Sequence, residues 1–99
     1  MQTLNSYSAE SKIQAEIIRK LTQRNWYVIK LIKTNKNGIP DLLCLKRGMA
    51  VFIETKSTKG KLTKLQEVRL NELKRLGFAG TIVRDVRSAI EFCEDCEGI

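Results

Sequence analysis

A chain of 99 residues, 42% of them hydrophobic and 29% charged, is long enough for one small globular domain and too short for a second. This composition excludes an intrinsically disordered protein, and no apolar stretch approaches the length of a membrane span. The absence of histidine excludes a histidine base and a histidine-containing zinc site. Residues 1–6 lack the basic and apolar blocks of a secretion signal, so we expect the protein in the cytoplasm of the producing cell.

The distribution of charge along the chain is uneven. The net charge is +7, yet all 18 Lys and Arg residues lie within residues 1–90, together with only seven acidic residues. The other four acidic residues belong to an acidic C-terminal segment, residues 91–99. A basic body favours a polyanion such as nucleic acid as the partner, although a merely soluble basic protein would carry the same charge.

The first predicted element is an amphipathic helix over residues 8–24. Ile17 and Leu21 belong to its apolar stripe, and basic residues cover the opposite side. Glu10 lies on the midline of that stripe, so its carboxylate points into the protein at the helix tip, and Gln14 follows one turn later. Glu10 is therefore a candidate site residue, unless it is simply a first-turn acid favoured by the helix dipole.

A strand and a basic loop follow the helix. Residues 26–32 are rich in aromatic and β-branched side chains, which predicts a strand. The polar loop after it, residues 33–38, carries Lys33 and Lys36 and leads directly to the next strand. These lysines are candidate phosphate contacts, and an ordinary solvated loop is an equally good interpretation.

The central stretch of the chain predicts a β-hairpin with charged groups at one end. Its apolar strands, residues 42–45 and 50–56, are joined by an Arg-Gly turn. Glu54 and Lys56 point to the same side of the second strand, because side chains alternate along a strand. Asp41, at the entrance of the first strand, lies opposite one of these two residues, depending on the register of the turn.

Two carboxylates crowded at the end of an apolar hairpin are costly to desolvate without a partner. A divalent cation would be such a partner, and carboxylate oxygens suit Mg²⁺ or Mn²⁺. Lys56 would then orient or polarise an attacking water molecule. The alternative is a surface salt bridge between Glu54 and Lys56 on a half-solvated hairpin.

A second helix is predicted after a basic connection. It begins at Thr63 and runs to about Leu76, with residues 65, 68 and 76 on one apolar stripe and residues 70 and 73 beside it. Thr63 and Gln66 have the spacing of a capping box, so Gln66 serves either as a cap alone or also as a ligand of phosphate or water at the site. The lysines around the start of this helix form a candidate phosphate-binding patch: Lys59, Lys61 and Lys64.

The last elements are a core strand, residues 78–84, and a short closing helix, residues 88–92, capped by Ser88 or Asp85. The strand follows the second helix closely, as the returning half of a strand-helix-strand crossover does. We expect the acidic final turn, residues 91–97, to be frayed. The three cysteines are interpreted as structural or incidental thiols, since Cys93 and Cys96 have no second ligand pair.

The hairpin motifs resemble those of a known nuclease family. Pro40-Asp41 and Glu54-Thr55-Lys56 are similar to the paired motifs of the PD-(D/E)xK nuclease superfamily. Gly38, Gln66 and the run from Glu10 to Ile13-Gln14 narrow the resemblance to its virus-type replication-repair nuclease domain, VRR-NUC. Asn25, where the family usually has Gly, and Thr55, where it more often has an aliphatic residue, depart from the pattern.

The resemblance covers nearly the whole chain, from Glu10 to about Val83. It implies the restriction-endonuclease-like α/β fold, a small mixed sheet flanked by helices in the order α-β-β-β-α-β-α. It also implies that Glu10, Asp41, Glu54 and the backbone carbonyl of Thr55 hold one or two Mg²⁺ or Mn²⁺ ions. Catalysis would then use these carboxylates with Lys56 and Gln66, and DNA binding would use Gln14 and the lysines named above.

The implied activity is that of a structure-selective DNA endonuclease of repair and recombination, acting on branched DNA such as Holliday junctions. The resemblance implies a homodimer as well, since symmetric cutting of two strands requires two sites related by a two-fold axis. Two alternatives stay open at this point: a non-catalytic basic nucleic-acid-binding module, and a flap or single-strand nuclease of the same fold.

Overall fold

The computed structural model describes residues 8–99, which fold into three helices and four strands. In chain order the elements are α1 (Ala9–Gln23), β1 (Tyr27–Lys30), β2 (Leu42–Lys46), β3 (Met49–Thr55), α2 (Lys64–Arg75), β4 (Ala79–Val83) and α3 (Val86–Glu97). This order and the mixed sheet confirm the predicted α/β fold class. None of these helices combines the length and the apolar composition that a membrane crossing needs.

The four strands form one sheet in the order β1-β2-β3-β4. β2 is antiparallel to both β1 and β3, whereas β4 lies parallel to β3. Parallel neighbours need a crossover connection, and α2 supplies it, as the sequence predicted. The β2–β3 hairpin turns through Arg47 and Gly48, whose φ angles of 49° and 78° match the twist of a two-residue hairpin.

Helices cover both faces of the sheet. α1 and α3 pack on one face and against each other, and the buried core lies beneath them. The core residues are Ile17, Leu21, Trp26, Leu42, Cys44, Val51, Ile53, Val83, Ala89 and Cys93. α2 crosses the other face above β4, where Gly80 admits Leu70, because a Cβ at Gly80 would lie 2.7 Å from Leu70 Cδ1.

Side-chain caps fix the starts of the helices. Ser8 caps α1, and Thr63 caps α2 by accepting from the backbone N–H of Gln66 (3.1 Å). The backbone N–H of Thr63 donates in return to Gln66 Oε1 (2.9 Å), which confirms the predicted capping box. Asp85, rather than Ser88, caps α3, and its Oδ1 accepts from the Ser88 backbone N–H (2.8 Å).

The predicted apolar stripe of the second helix is wrong. Leu65, Val68 and Leu76 are between 39% and 72% exposed, and the buried residue of α2 is Leu70, which the sequence placed beside the stripe. The physical reason is that α2 packs mainly against the single strand β4. Gly80 lets the helix approach closely at Leu70, so the contact is narrower than a full apolar stripe requires.

The prediction of a short closing helix with a frayed acidic end is also wrong. α3 continues to Glu97 and ends at Gly98, which takes the left-handed conformation (φ 80°). The carboxylate of Glu97 forms a largely buried ion pair with Lys46 (2.6 Å), and the Lys46 ammonium lies 5.5 Å from the centre of the Trp26 ring. These contacts attach the end of the helix to the far end of β2.

The cysteines are free thiols in the interior or near it. Cys44 and Cys93 are buried in the core and Cys96 is half-buried. Burial raises the pKa of Cys44 and of Cys93 to about 12, so both stay protonated at neutral pH. This environment agrees with a structural role.

Candidate active site

The candidate site lies where β2 begins and β3 ends. The register of the hairpin places Asp41 opposite Glu54 rather than opposite Lys56, which resolves the alternative that the sequence left open. The backbone N–H of Thr55 donates to Asp41 Oδ2 (3.0 Å) and fixes that side chain. The two carboxylates therefore share one side of the sheet end.

Glu54 is held inside the protein, with 2% of its surface exposed. Its Oε2 accepts from Gln66 Nε2 (3.1 Å) and lies 3.6 Å from Lys56 Nζ. Its Oε1 is buried and has no hydrogen-bond partner among residues 8–99. Because Lys56 is also buried, the interpretation of a surface salt bridge is wrong.

The two carboxyl groups resist ionisation. Burial, the largest cause, and the neighbouring Asp41 charge together raise the pKa of Glu54 from 4.5 to about 7. The Lys56 ammonium and the nearby backbone N–H of Asp41 oppose this rise. Burial also raises the pKa of Asp41, against the lowering effect of the Thr55 N–H. A cation bound between them would favour the ionised form of both carboxyl groups.

Helix α1 brings two more of the predicted residues to the site. Glu10, in the first turn, is close enough for its charge to raise the pKa of both Asp41 and Glu54. Gln14 is 8% exposed, and its amide lies beside Asp41 and lowers the pKa of that carboxyl. The structure thus places Gln14 beneath the site, against Asp41, rather than on the surface expected of a DNA contact.

The expected cage of three acidic metal ligands is not assembled. Residues 8–99 contain no group of three or more His, Cys, Asp or Glu side chains that could hold a metal ion. Asp41 and Glu54 nevertheless fit Mg²⁺, since this ion is usually bound through one or two carboxylates, with water and phosphate oxygens as the remaining ligands. The unpaired, buried Oε1 of Glu54 is the donor that such an ion would use.

A cleft of about 330 Å³ opens beside Asp41. Asp41 and Gln66 line it on one side, and the loop after β1 lines it on the other, including Lys33 and Lys36. β1 ends two residues earlier than predicted, so Ile32 belongs to this loop and also lines the cleft. The predicted basic loop is therefore a wall of the candidate site.

The other predicted lysines surround the start of α2. Lys59, Lys61 and Lys64 are exposed, and Gln66 in the first turn of the same helix contacts Glu54. Gln66 thus performs the capping role and contacts the site at the same time, so neither of the two sequence-based interpretations excludes the other. The helix N-terminus and its lysines present positive charge next to the cleft.

Two arginines that sequence reasoning missed hold the basic loops. Arg84 Nη1 donates to the backbone carbonyls of Ser57 and Gly60 (2.6 Å each), which fixes the connection that carries Lys59. Arg69 Nε donates to the carbonyl of residue 37 (2.9 Å) in the loop after β1. An arginine that binds a distant backbone carbonyl has no local sequence signature, so the pattern of residues gave no signal for either.

Comparison with known proteins identifies this arrangement. A family model described as the VRR-NUC domain matches residues 2–86. The chain belongs to the VRR-NUC family. The fold is also that of two solved structures, a "VRR_NUC domain" (TM-score 0.77, 23% identity, covering 89% of this chain and 97% of that one) and a "VRR_NUC domain protein" (TM-score 0.75, 18% identity, covering 90% and 88%). No curated protein matches the chain.

Membership of the VRR-NUC family confirms the resemblance read from the hairpin motifs. It makes the chain a nuclease-type domain, and it agrees with the four-stranded sheet flanked by helices. The motif residues Asp41, Glu54 and Lys56 of this VRR-NUC domain meet at one end of that sheet.

Proposed function

We propose that this VRR-NUC domain is a metal-dependent DNA endonuclease that cuts branched DNA such as Holliday junctions. The observation that carries the proposal is the state of Glu54: it is buried, fixed through Oε2 by Gln66, opposite Asp41, and left with an unpaired Oε1. Leaving a buried carboxylate oxygen without a partner costs free energy, and a role in binding a cation explains why the fold keeps it.

Asp41 and Glu54, with the backbone carbonyl of Thr55, would hold one or two Mg²⁺ or Mn²⁺ ions, and Glu10 would contribute nearby negative charge rather than a ligand atom. A bound ion would supply an activated water and stabilise negative charge at the scissile phosphate. Lys56, whose ammonium lies 3.6 Å from Glu54 Oε2, orients the attacking water. Gln66 keeps the Glu54 carboxylate in one orientation throughout.

The basic loops provide the DNA-binding surface. Lys33 and Lys36 stand along the cleft, and Lys59, Lys61 and Lys64 stand around the N-terminus of α2. Phosphates of a bound DNA strand would contact both groups, which brings the scissile phosphate between them at Asp41. Binding through phosphates makes affinity fall steeply with salt concentration.

We further propose a homodimer, because symmetric cleavage of a four-way junction needs two sites related by a two-fold axis. The setting would be DNA repair or recombination in the cytoplasm of a bacterial or virus-infected cell. Sedimentation equilibrium at micromolar concentration tests the assembly. A monomer under these conditions contradicts the dimer without contradicting the nuclease.

Cleavage of end-labelled four-way DNA tests the activity. The wild type should cut with Mg²⁺ or Mn²⁺ and not with EDTA. Glu54→Gln and Lys56→Ala should each lose cleavage while keeping DNA affinity, and Glu91→Gln, an exposed position on α3, should cut like the wild type. A protein that binds the junction and cuts it with neither metal is a non-catalytic binding module. Preference for flapped or single-stranded DNA over the junction identifies the other alternative.

A further inference from the structure

An isoleucine stands exposed at the mouth of the candidate cleft. Among the large apolar residues of positions 8–99, Ile32 has the highest exposed fraction, 82%. A single exposed apolar side chain is common on protein surfaces, so exposure alone assigns no role. The position of Ile32 is informative, because it lines the same cleft as Asp41 and Gln66.

The loop that carries Ile32 is fixed to the site. The backbone N–H of Leu31 donates to the carbonyl of Asp41 (2.8 Å), so Ile32 directly follows a residue whose backbone is bonded to that of a candidate site residue. Arg69 anchors the far part of the loop, and Gly38 at its end adopts φ 81° against the side chain of Leu65. The β-branched side chain of Ile32 is itself restricted at χ1. Ile32 is therefore a preformed apolar projection.

Its neighbours make an apolar group there unexpected. Lys30, Lys33 and Lys36 are exposed around it, and they suit the phosphate backbone of DNA. An aliphatic side chain gains nothing from phosphates. The large apolar surface of DNA is the faces of the bases, which continuous stacking hides and a branch point, flap or frayed end exposes.

We propose that Ile32 is a specificity-determining wedge that packs on the face of an unstacked base next to the scissile phosphate. The proposal rests on the proposed nuclease function and names the feature of the substrate that the cleft reads: a break in base stacking. The lysines bind any DNA strand, and Ile32 adds affinity only where a base face is open.

The test compares Ile32→Ser with the wild type on two DNA molecules that carry 2-aminopurine, a base that fluoresces more strongly when unstacked. One has the probe at a branch point, and the other has it inside a continuous duplex. With Ca²⁺ replacing Mg²⁺, the wild type should raise the fluorescence at the branch, and Ile32→Ser should lose most of that rise. Ile32→Leu should retain it. Ile99→Ser, at an exposed isoleucine two residues beyond the end of α3, is the matched control and should behave as the wild type.

Cleavage gives the second readout. Burial of an isoleucine side chain against a base is worth about tenfold in kcat/KM, so Ile32→Ser should lose roughly that factor on branched DNA. On a single-stranded oligonucleotide, whose base faces are also open, the loss should be of similar size, whereas on a continuous duplex the kcat/KM of Ile32→Ser should equal that of the wild type. Lys33→Ala should instead weaken binding to every DNA and reduce its salt dependence.

The outcomes separate the two proposals. A fluorescence rise in Ca²⁺ together with no cleavage in Mg²⁺ or Mn²⁺ refutes the nuclease and supports the contact of Ile32 with an unstacked base. Cleavage by the wild type without a fluorescence rise at the branch refutes the wedge and leaves the nuclease proposal intact. The same holds if Ile32→Ser gives the same fluorescence rise and the same cleavage rate as the wild type. If Ile32→Ser sediments as a smaller species than the wild type, Ile32 is a subunit contact and the wedge is wrong.

Discussion

Replacing Glu54 with Gln should stabilise the metal-free protein at alkaline pH. The pKa of Glu54 rises from 4.5 to about 7 on folding, so the folded state keeps a proton that the unfolded state releases in this range. Stability therefore falls as pH rises from about 4.5 to about 7, and the full cost is present above that. A pKa that is higher by roughly 2.5 in the folded state lowers the free energy of unfolding by about 3 kcal/mol once the pH is above both pKa values. Glutamine has no charge to desolvate and can still accept from Gln66 Nε2.

Urea unfolding with EDTA at pH 4 and at pH 8 measures this effect. The free energy of unfolding of Glu54→Gln should exceed that of the wild type by about 3 kcal/mol at pH 8. At pH 4, where Glu54 is mostly protonated in both the folded and the unfolded state, the two values should be close. Glu91→Gln, on the exposed surface of α3, should change little at either pH. If Glu54→Gln is less stable than the wild type at pH 8, or if the difference is the same at both pH values, the carboxyl is not held protonated by its surroundings.

Three further sets of substitutions test other contacts. Gln66→Ala and Thr63→Ala should each lower the free energy of unfolding in urea by about 1 kcal/mol, because both break the capping box. Only Gln66→Ala should also lower kcat, since only Gln66 bonds to Glu54. Equal kcat values for the two variants would contradict this. Arg84→Lys should raise KM for DNA and leave kcat unchanged, because a lysine cannot hold both loop carbonyls in the same geometry. A fall in kcat with KM unchanged would contradict this. Lys46→Met should lower the free energy of unfolding by about 3 kcal/mol, because it leaves the buried carboxylate of Glu97 unpaired. In the same urea unfolding experiment, the double variant Lys46→Met with Glu97→Leu should recover most of this loss.

The sequence was most informative where one short segment sets the geometry. The hairpin, its turn and the alternation of Glu54 and Lys56 depend on residues adjacent in the chain, so their grouping could be predicted. The register opposite Asp41 could not, because it depends on how the turn residues at Arg47 and Gly48 close.

Contacts between segments that are distant in the chain could not be predicted from the sequence. Leu70 is the buried residue of α2 because Gly80, on another element, leaves room for it, and periodicity within the helix does not contain that information. The ordered end of α3 likewise depends on Lys46, about 50 positions earlier in the chain. Arg84 bonds to carbonyls 24 and 27 positions away, and any surface arginine looks the same in the sequence.

The ion pair between Glu97 and Lys46 also fixes where the acidic C-terminal turns lie relative to the cleft. Lys46 ends the strand whose entrance is Asp41, so the acidic last turns of α3 lie ~16 Å from the cleft, at the opposite pole of the sheet. The acidic side chains of these turns are thereby kept away from the exposed lysines along the cleft and around the start of α2. A polyanion that approaches those lysines meets no repulsion from the C-terminal carboxylates at contact distance, because ~16 Å exceeds the Debye length at physiological salt.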